Sequence, residues 1–196
     1  MPRRQGDWES LYKEEKVENL PWYYTQLDTD LKKEIKIRNI KHGRFLDLGT
    51  GPGTQAAVIS KSGFEVTGID ISKTAIKKAK KLFPQVNFMV DNILKTKIPA
   101  DTFDYIFDRG CFHTLPPRSR QKYVRTVTRI LHVGGILFLK CFSSKEKRID
   151  GPYKFSSSQI MKLFEDYFEI LDHRETVFET PPDSQPKALF FVMLKK

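Results

Sequence analysis

Cysteine is scarce in this 196-residue chain: Cys111 and Cys141 are its only two, and their spacing fits neither a metal-ligand pattern nor a disulfide framework. No apolar run approaches the roughly 18 residues that a membrane-spanning helix needs. The opening stretch, MPRRQGDWESLYKEEK, lacks the apolar core of a secretory signal. Internal repeats, low-complexity tracts and linker-like shifts of composition are missing as well. These absences exclude a disulfide-stapled secreted scaffold, a helical membrane protein and a repeat array. The expectation they leave is a cytoplasmic protein with no bound metal and a single domain over residues 1–196, with a helical cover at 1–40 and a core at 41–196.

Positive charge, by contrast, is plentiful: 34 Lys and Arg against 24 Asp and Glu give a formal net charge of +10. Lys77, Lys78, Lys80 and Lys81 cluster on one expected helix, and Arg118, Arg120, Lys122, Arg125 and Arg129 on another. Such clusters bind phosphates, so nucleic acid enters as a partner to weigh. No aromatic-interleaved basic segment accompanies them, and solvated outer helix faces are the favoured reading.

The chain is organised around residues 44–54, RFLDLGTGPGT. Phe45, Leu46 and Leu48 read as a short buried strand interrupted by one carboxylate, Asp47. Gly49, Gly51 and Gly53 follow, and Ala56, Ala57, Val58 and Ile59 then suit a helix that Gly63 would stop. A strand, a glycine turn and a helix N-terminus make a site for a nucleoside-bearing ligand. The dinucleotide fingerprint G-x-G-x-x-G fails here, because Thr54 stands at its third glycine. A buried carboxylate such as Asp47 suits a ligand with an ammonium group better than a pyrophosphate.

Further along, helices are expected over 7–18, capped by Asp7, and over 26–40, with the aromatic connector Leu20-Pro21-Trp22-Tyr23-Tyr24 between them. That connector reads either as a plug packing the first helix onto the sheet or as a lid over the site. Glu65 to Asp70 is a second strand, and Asp70 stands where an acid accepts hydrogen bonds from ribose hydroxyls in nucleoside-binding βαβ units. Ser72 caps a helix over 73–83. A third strand over 86–90 runs into Asp91, and a fourth over 103–108 runs into Arg109. A helix over 118–132 ended by Gly134-Gly135, a strand over 136–142, a polar loop over 143–155, a helix from Ser156–Ser158 through Phe164 and closing strands over 168–177 and 187–194 complete the pattern. The loop 179–186 reads as a hairpin excursion.

The run Asp47-Leu48-Gly49-Thr50-Gly51-Pro52-Gly53 resembles the first motif of the class I S-adenosylmethionine-dependent methyltransferases. With Asp70 and Asp91 in order, the resemblance covers roughly residues 40–194. Asp108-Arg109-Gly110 followed by Pro116-Pro117 and a basic helix looks like the thiopurine and thiol S-methyltransferases and their tellurite-resistance relatives. It is unlike the Asn/Asp-Pro-Pro-aromatic motif of enzymes that methylate DNA bases. The resemblance implies an α/β, Rossmann-like seven-stranded sheet with helices on both faces and an antiparallel closing strand. It implies S-adenosyl-L-methionine as cofactor, contacted by Asp47, Gly49, Thr50, Gly51, Gly53, Asp70, Ile71, Asp91, Asn92, Ile93 and Asp108.

It also implies methyl transfer to a small-molecule acceptor, with a thiol or other soft nucleophile first in line. The alternatives are an RNA methyltransferase, a non-catalytic RNA- or protein-binding module on the same fold, and a nucleotide-dependent oxidoreductase. Trp22, Tyr23 and Arg109 are the candidate acceptor and lid residues. Arg109 either orients the acceptor or forms an ion pair with a strand-end acid. His113 is the candidate base for an oxygen or amine acceptor, or else a packed histidine. Cys111 reads as a small hydrophobe.

Overall fold

Alternation along the apolar strands decides which side chains meet which helices. A computed structural model describes residues 7–147, 151–180 and 185–196. Its strands are β1 (Arg44–Leu48), β2 (Glu65–Asp70), β3 (Asn87–Val90), β4 (Phe103–Arg109), β5 (Leu131–Phe142), β6 (Phe168–Val177) and β7 (Lys187–Lys195). They form one sheet in the order β3-β2-β1-β4-β5-β7-β6, with β7 antiparallel to β5 and β6 and every other pair parallel. The helices are α1 (Trp8–Glu14), α2 (Thr29–Ile37), α3 (Thr54–Lys61), α4 (Lys73–Leu82), α5 (Pro117–Ile130) and α6 (Ser157–Phe164). The expected α/β, Rossmann-like seven-stranded architecture is therefore present, with its antiparallel closing strand.

Period two sorts the core into two layers. Leu46, Leu48, Ile106, Leu137, Leu139 and Cys141 pack with Tyr123, Val127, Ile160 and Phe164 of α5 and α6. The intervening Phe45, Phe107, Phe138 and Phe190 pack with Leu31, Ala56, Ile59 and Ile76 of α2, α3 and α4. Burial on both faces accounts for near-continuous apolar runs such as ILFLKCF. The strand order reverses between β1 and β4, and at such a switch point an α/β sheet opens a crevice beyond the strands' carboxyl ends.

Local chemistry sets the element ends. Asp7 caps α1 through Ser10 N, Ser72 caps α4 through Ala75 N, and Ser156 and Gln159 form a capping box on α6. Some bounds differ from expectation. The first helix stops at Glu14 and a 3-10 turn follows at Val17–Asn19. The second begins only at Thr29, because the Asp28 side chain accepts from Asp30 N and Leu31 N and so serves as N-cap. Helix α5 ends at Ile130, and Leu131 already pairs with Phe103. The register then jumps so that Tyr105 pairs with Ile136, and Gly134-Gly135 lies in that excursion instead of ending the helix. The start of the expected cover and the centres of loops 143–155 and 179–186 lie outside the described residues. Among those described, no helix is long and apolar enough to cross a membrane.

Candidate active site

At the switch point the glycine turn meets the segment after β4. Gly49, Gly51 and Gly53 all have positive φ, at 73°, 53° and 83°. A Cβ on Gly49 would lie 2.8 Å from Cys111 Cβ, and one on Gly51 only 2.5 Å from the Tyr12 hydroxyl. Larger residues would thus strain the backbone and push into the walls of the crevice. We expect Gly51→Ala to lower stability by about 2 kcal/mol in urea denaturation, from left-handed strain plus displacement of Tyr12. Tyr12→Phe in that background should restore part of the loss.

Two carboxylates shape the turn from below. Asp47 is buried, and its Oδ2 accepts from Thr50 Oγ1 at 2.5 Å and Ala56 N at 3.1 Å. Burial raises its pKa to about 6, outweighing those hydrogen bonds. Its Oδ1 has no partner among the described residues and is not sealed from solvent, so the group presents an acceptor edge for an ammonium. Asp70 takes Gly51 N at 3.0 Å on one oxygen and Ser72 N at 2.8 Å on the other, which fixes the carboxylate at the carboxyl end of β2. Ile71, directly after it, is 53% exposed despite being apolar, and Gly49 is exposed between buried neighbours.

Asp91 and Asn92 close the same edge. Asp91 accepts from Asn92 N at 2.7 Å and from the Thr96 hydroxyl, and Asn92 Oδ1 accepts from Leu94 N at 2.9 Å. Ile93 is different: its side chain is buried in the α5-side core, so only its backbone is available to a ligand.

The N-terminal cover is clasped over this edge. Glu9 accepts from Ser72 Oγ, Thr74 Oγ1 and Thr74 N, an arrangement that lowers its pKa to about 2 through the Thr74 side-chain bond first. Trp22 donates its indole N–H to the Tyr12 hydroxyl at 3.2 Å and meets Trp8 edge-on. Tyr23 packs on the small core of Tyr12, Val17, Leu20 and Ala75. The aromatic connector therefore packs α1 down while lying beside the glycine turn.

Three expectations need correction. Asp108 is fully buried on the α5 face, opposite in parity to Asp47. Its oxygens accept from Gly110, Cys111 and Phe112 N–H groups and from the Tyr123 hydroxyl at 2.6 Å. It anchors the post-β4 turn and has no free oxygen for a cofactor, and burial lifts its pKa to about 7.

Arg109, with a side chain 6% exposed, is also spent. It bonds Asp28 Oδ2 at 2.9 Å and the Glu179 carbonyl at 2.8 Å, so its partners come from the cover and the post-β6 loop and not from a strand-end acid.

His113, expected as a base, accepts the Phe142 N–H on Nδ1 at 3.1 Å, and burial drops its pKa to about 3. It lies against the Phe142 ring at 4.6 Å and Phe178 at 5.6 Å, a neutral imidazole and a poor base. Cys111 packs against Gly49, and burial with the Asp108 and Asp70 charges keeps its thiol protonated.

A buried ionic cluster, absent from the sequence reading, backs the same edge. Lys140 is the register partner of Arg109 and wholly buried. Its Nζ lies 2.8 Å from Asp28, 2.9 Å from Asp30 and 2.9 Å from Glu179. Two adjacent cations on one sheet face repel, and Asp28 Oδ2 bridges both. The three carboxylates are close enough together to ligate a cation, and the lysine ammonium fills that position.

The family model described as "Methyltransferase domain" matches residues 45–135. An uncharacterized methyltransferase of Schizosaccharomyces pombe is 32% identical over 110 residues, covering 54% of this chain and 76% of that protein. The chain is a class I S-adenosylmethionine-dependent methyltransferase. The methyltransferase is also similar to a protein of Arabidopsis thaliana described as probable thiol methyltransferase 2, 27% identical over 164 residues, 81% of this chain and 71% of that one. A solved structure described as "Conversion of a Disulfide Bond into a Thioacetal Group during Echinomycin Biosynthesis" superposes with a TM-score of 0.85 at 19% identity, covering 98% of this chain and 93% of that one, and so shares the fold. The RNA alternative finds no support in these likenesses. The acidic residues of the glycine-turn edge suit the cofactor's chemistry: Asp47 offers an anion for an ammonium, and Asp70 a fixed carboxylate for a diol.

Proposed function

We propose that this methyltransferase acts on a small-molecule acceptor through a soft nucleophile, a thiol first. The observation that carries the reading is His113. Its Nδ1 lone pair is committed to Phe142 N–H, which leaves no histidine base at the β4–β5 edge among the described residues. An acceptor that ionises by itself near neutral pH suits such a site, and thiols do so where alcohols do not. The likeness to a protein described as a thiol methyltransferase points the same way. The clasped cover, with Trp22 and the Glu9 contacts over the edge, favours a small acceptor over a polymer.

In this reading Asp47, Gly49, Thr50, Gly51, Gly53, Asp70, Ile71, Asp91, Asn92 and the Ile93 backbone hold S-adenosyl-L-methionine, which when bound supplies an electrophilic methyl on a sulfonium. Trp22 and Tyr23 wall off water, and the protein's main contribution is alignment of the nucleophile with that carbon, on the order of several kcal/mol. Incubation with S-adenosylmethionine and a panel of thiols, alcohols and amines should yield S-adenosylhomocysteine with thiols at rates at least tenfold above the others. A faster alcohol or amine would overturn the assignment.

A further inference from the structure

We infer that the open face of β3 binds a free medium-chain carboxylate, its chain lying on the sheet and its headgroup held by Lys95 and Lys97. The inference stands apart from the acceptor assignment above. Each other parallel crossover of the sheet carries a helix: α3 from β1 to β2, α4 from β2 to β3 and α5 from β4 to β5. Residues 91–102, from β3 to β4, carry none. The β3 face turned toward α5 therefore lacks a helix of its own, and Met89 stands on it 37% exposed. A groove of about 600 Å³ opens there, with Met89, Ile98, Pro99 and Phe103 as its apolar lining. Its wall is pinned in place. Arg129 of α5 donates to the Ile98 carbonyl at 2.6 Å, and the Thr96 hydroxyl donates to Asp91 while accepting from Ile98 N.

The polar groups of the lining decide the occupant. Thr67 Oγ1 accepts from Asn87 Nδ2 at 3.1 Å, and Thr102 Oγ1 donates to the Pro99 carbonyl at 2.8 Å. The oxygens of Asp91 accept from Asn92 N and the Thr96 hydroxyl. Lys95 and Lys97 remain, both exposed and without a side-chain partner among the described residues. An apolar lining with two uncommitted ammoniums is complementary to a molecule with an apolar body and one anionic end. From Asp91 to the level of Thr67 the groove follows four residues of β3, about 13 Å, a track for an extended chain. Phe103, the only aromatic side chain in the lining, is 5% exposed and offers a nucleic-acid base nothing to stack on.

The test is calorimetric titration of the full chain with octanoate, with octanol, which lacks the charge, and with butyrate, which lacks the chain. Octanoate should bind one-to-one and at least tenfold more tightly than either of the others, equally with and without saturating S-adenosylhomocysteine. The double variant Lys95→Gln, Lys97→Gln alters two exposed side chains and should weaken octanoate at least fivefold while leaving octanol unchanged. Met89→Asp should weaken both. In protein labelled at the methionine methyls, octanoate should shift the Met89 resonance and leave that of the buried Met193 in place. Equal affinity for octanoate and octanol, or no effect of the lysine double variant, would overturn the inference. So would displacement of octanoate by S-adenosylhomocysteine, which would put the chain in the crevice instead. Binding to phosphatidylglycerol vesicles without binding of free octanoate would also overturn it, in favour of a membrane surface.

Discussion

Asp70→Asn should weaken S-adenosylhomocysteine binding about a hundredfold. Asp70 is fixed by Gly51 N and Ser72 N, one on each oxygen, so its remaining lone pairs are pre-aimed and a diol would meet them without reorganisation. Hydrogen bonds to a charged group contribute about 1.5–3 kcal/mol each, and loss of the charge at two hydroxyls gives roughly 3 kcal/mol, or two decades in affinity. Asparagine keeps one acceptor, so only one of the two backbone N–H groups loses its partner and stability should fall by about 1–3 kcal/mol. Calorimetric titration and urea denaturation on the same preparations separate the two effects. A variant that binds as tightly as the wild type would remove Asp70 from the ligand site.

Lys140→Met should have the largest effect on stability. The ammonium is wholly buried and surrounded by three carboxylates. Burial pulls its pKa down, yet Asp28, Asp30 and Glu179 together hold it above the ordinary lysine value. Burial lifts Asp28 above the usual carboxylate range even beside two cations. Removal of the lysine leaves these acids facing one another, with Arg109 and Arg174 as the remaining close cations. Breaking one partner out of a buried ionic cluster costs about 3–5 kcal/mol, which for a domain of this size lowers Tm by about 10 °C. Asp28→Asn added to Lys140→Met should recover part of the loss by removing one of the exposed repulsions. A loss below about 1 kcal/mol for Lys140→Met would contradict the charged state of the cluster.

These two sites show where sequence was informative and where it was not. The place of Asp70 at the carboxyl end of β2 could be read directly, because its strand, the glycine turn before it and the spacing between them are local features. The alternation of apolar runs with helical ones marked an α/β chain; the seven-stranded sheet and its antiparallel closing strand came with the family resemblance, and the strand order only with the structure. Lys140 leaves a signal in the sequence: it is a lone lysine within the apolar run ILFLKCF, and period two places it on the face of Phe138. Its partners were out of reach, since Asp28 comes from the cover and Glu179 from the loop after β6. Only tertiary packing brings them together. The same long-range packing gave Arg109 its partners.

Asp108 and Asp47 have the same residue type near the ends of neighbouring strands. A single step of parity sends them to opposite faces, one to Tyr123 and the other to the glycine turn. His113 required the Phe142 backbone to be placed before its tautomer could be assigned.

The central claim, an S-adenosyl cofactor held at the edge of Gly49, Asp47 and Asp70, is tested most directly by calorimetric titration of the wild-type protein with S-adenosylhomocysteine and, separately, with NAD. Saturable one-to-one binding of S-adenosylhomocysteine with no heat from NAD is the predicted result. Absence of S-adenosylhomocysteine binding, or tight binding of NAD in its place, would contradict it.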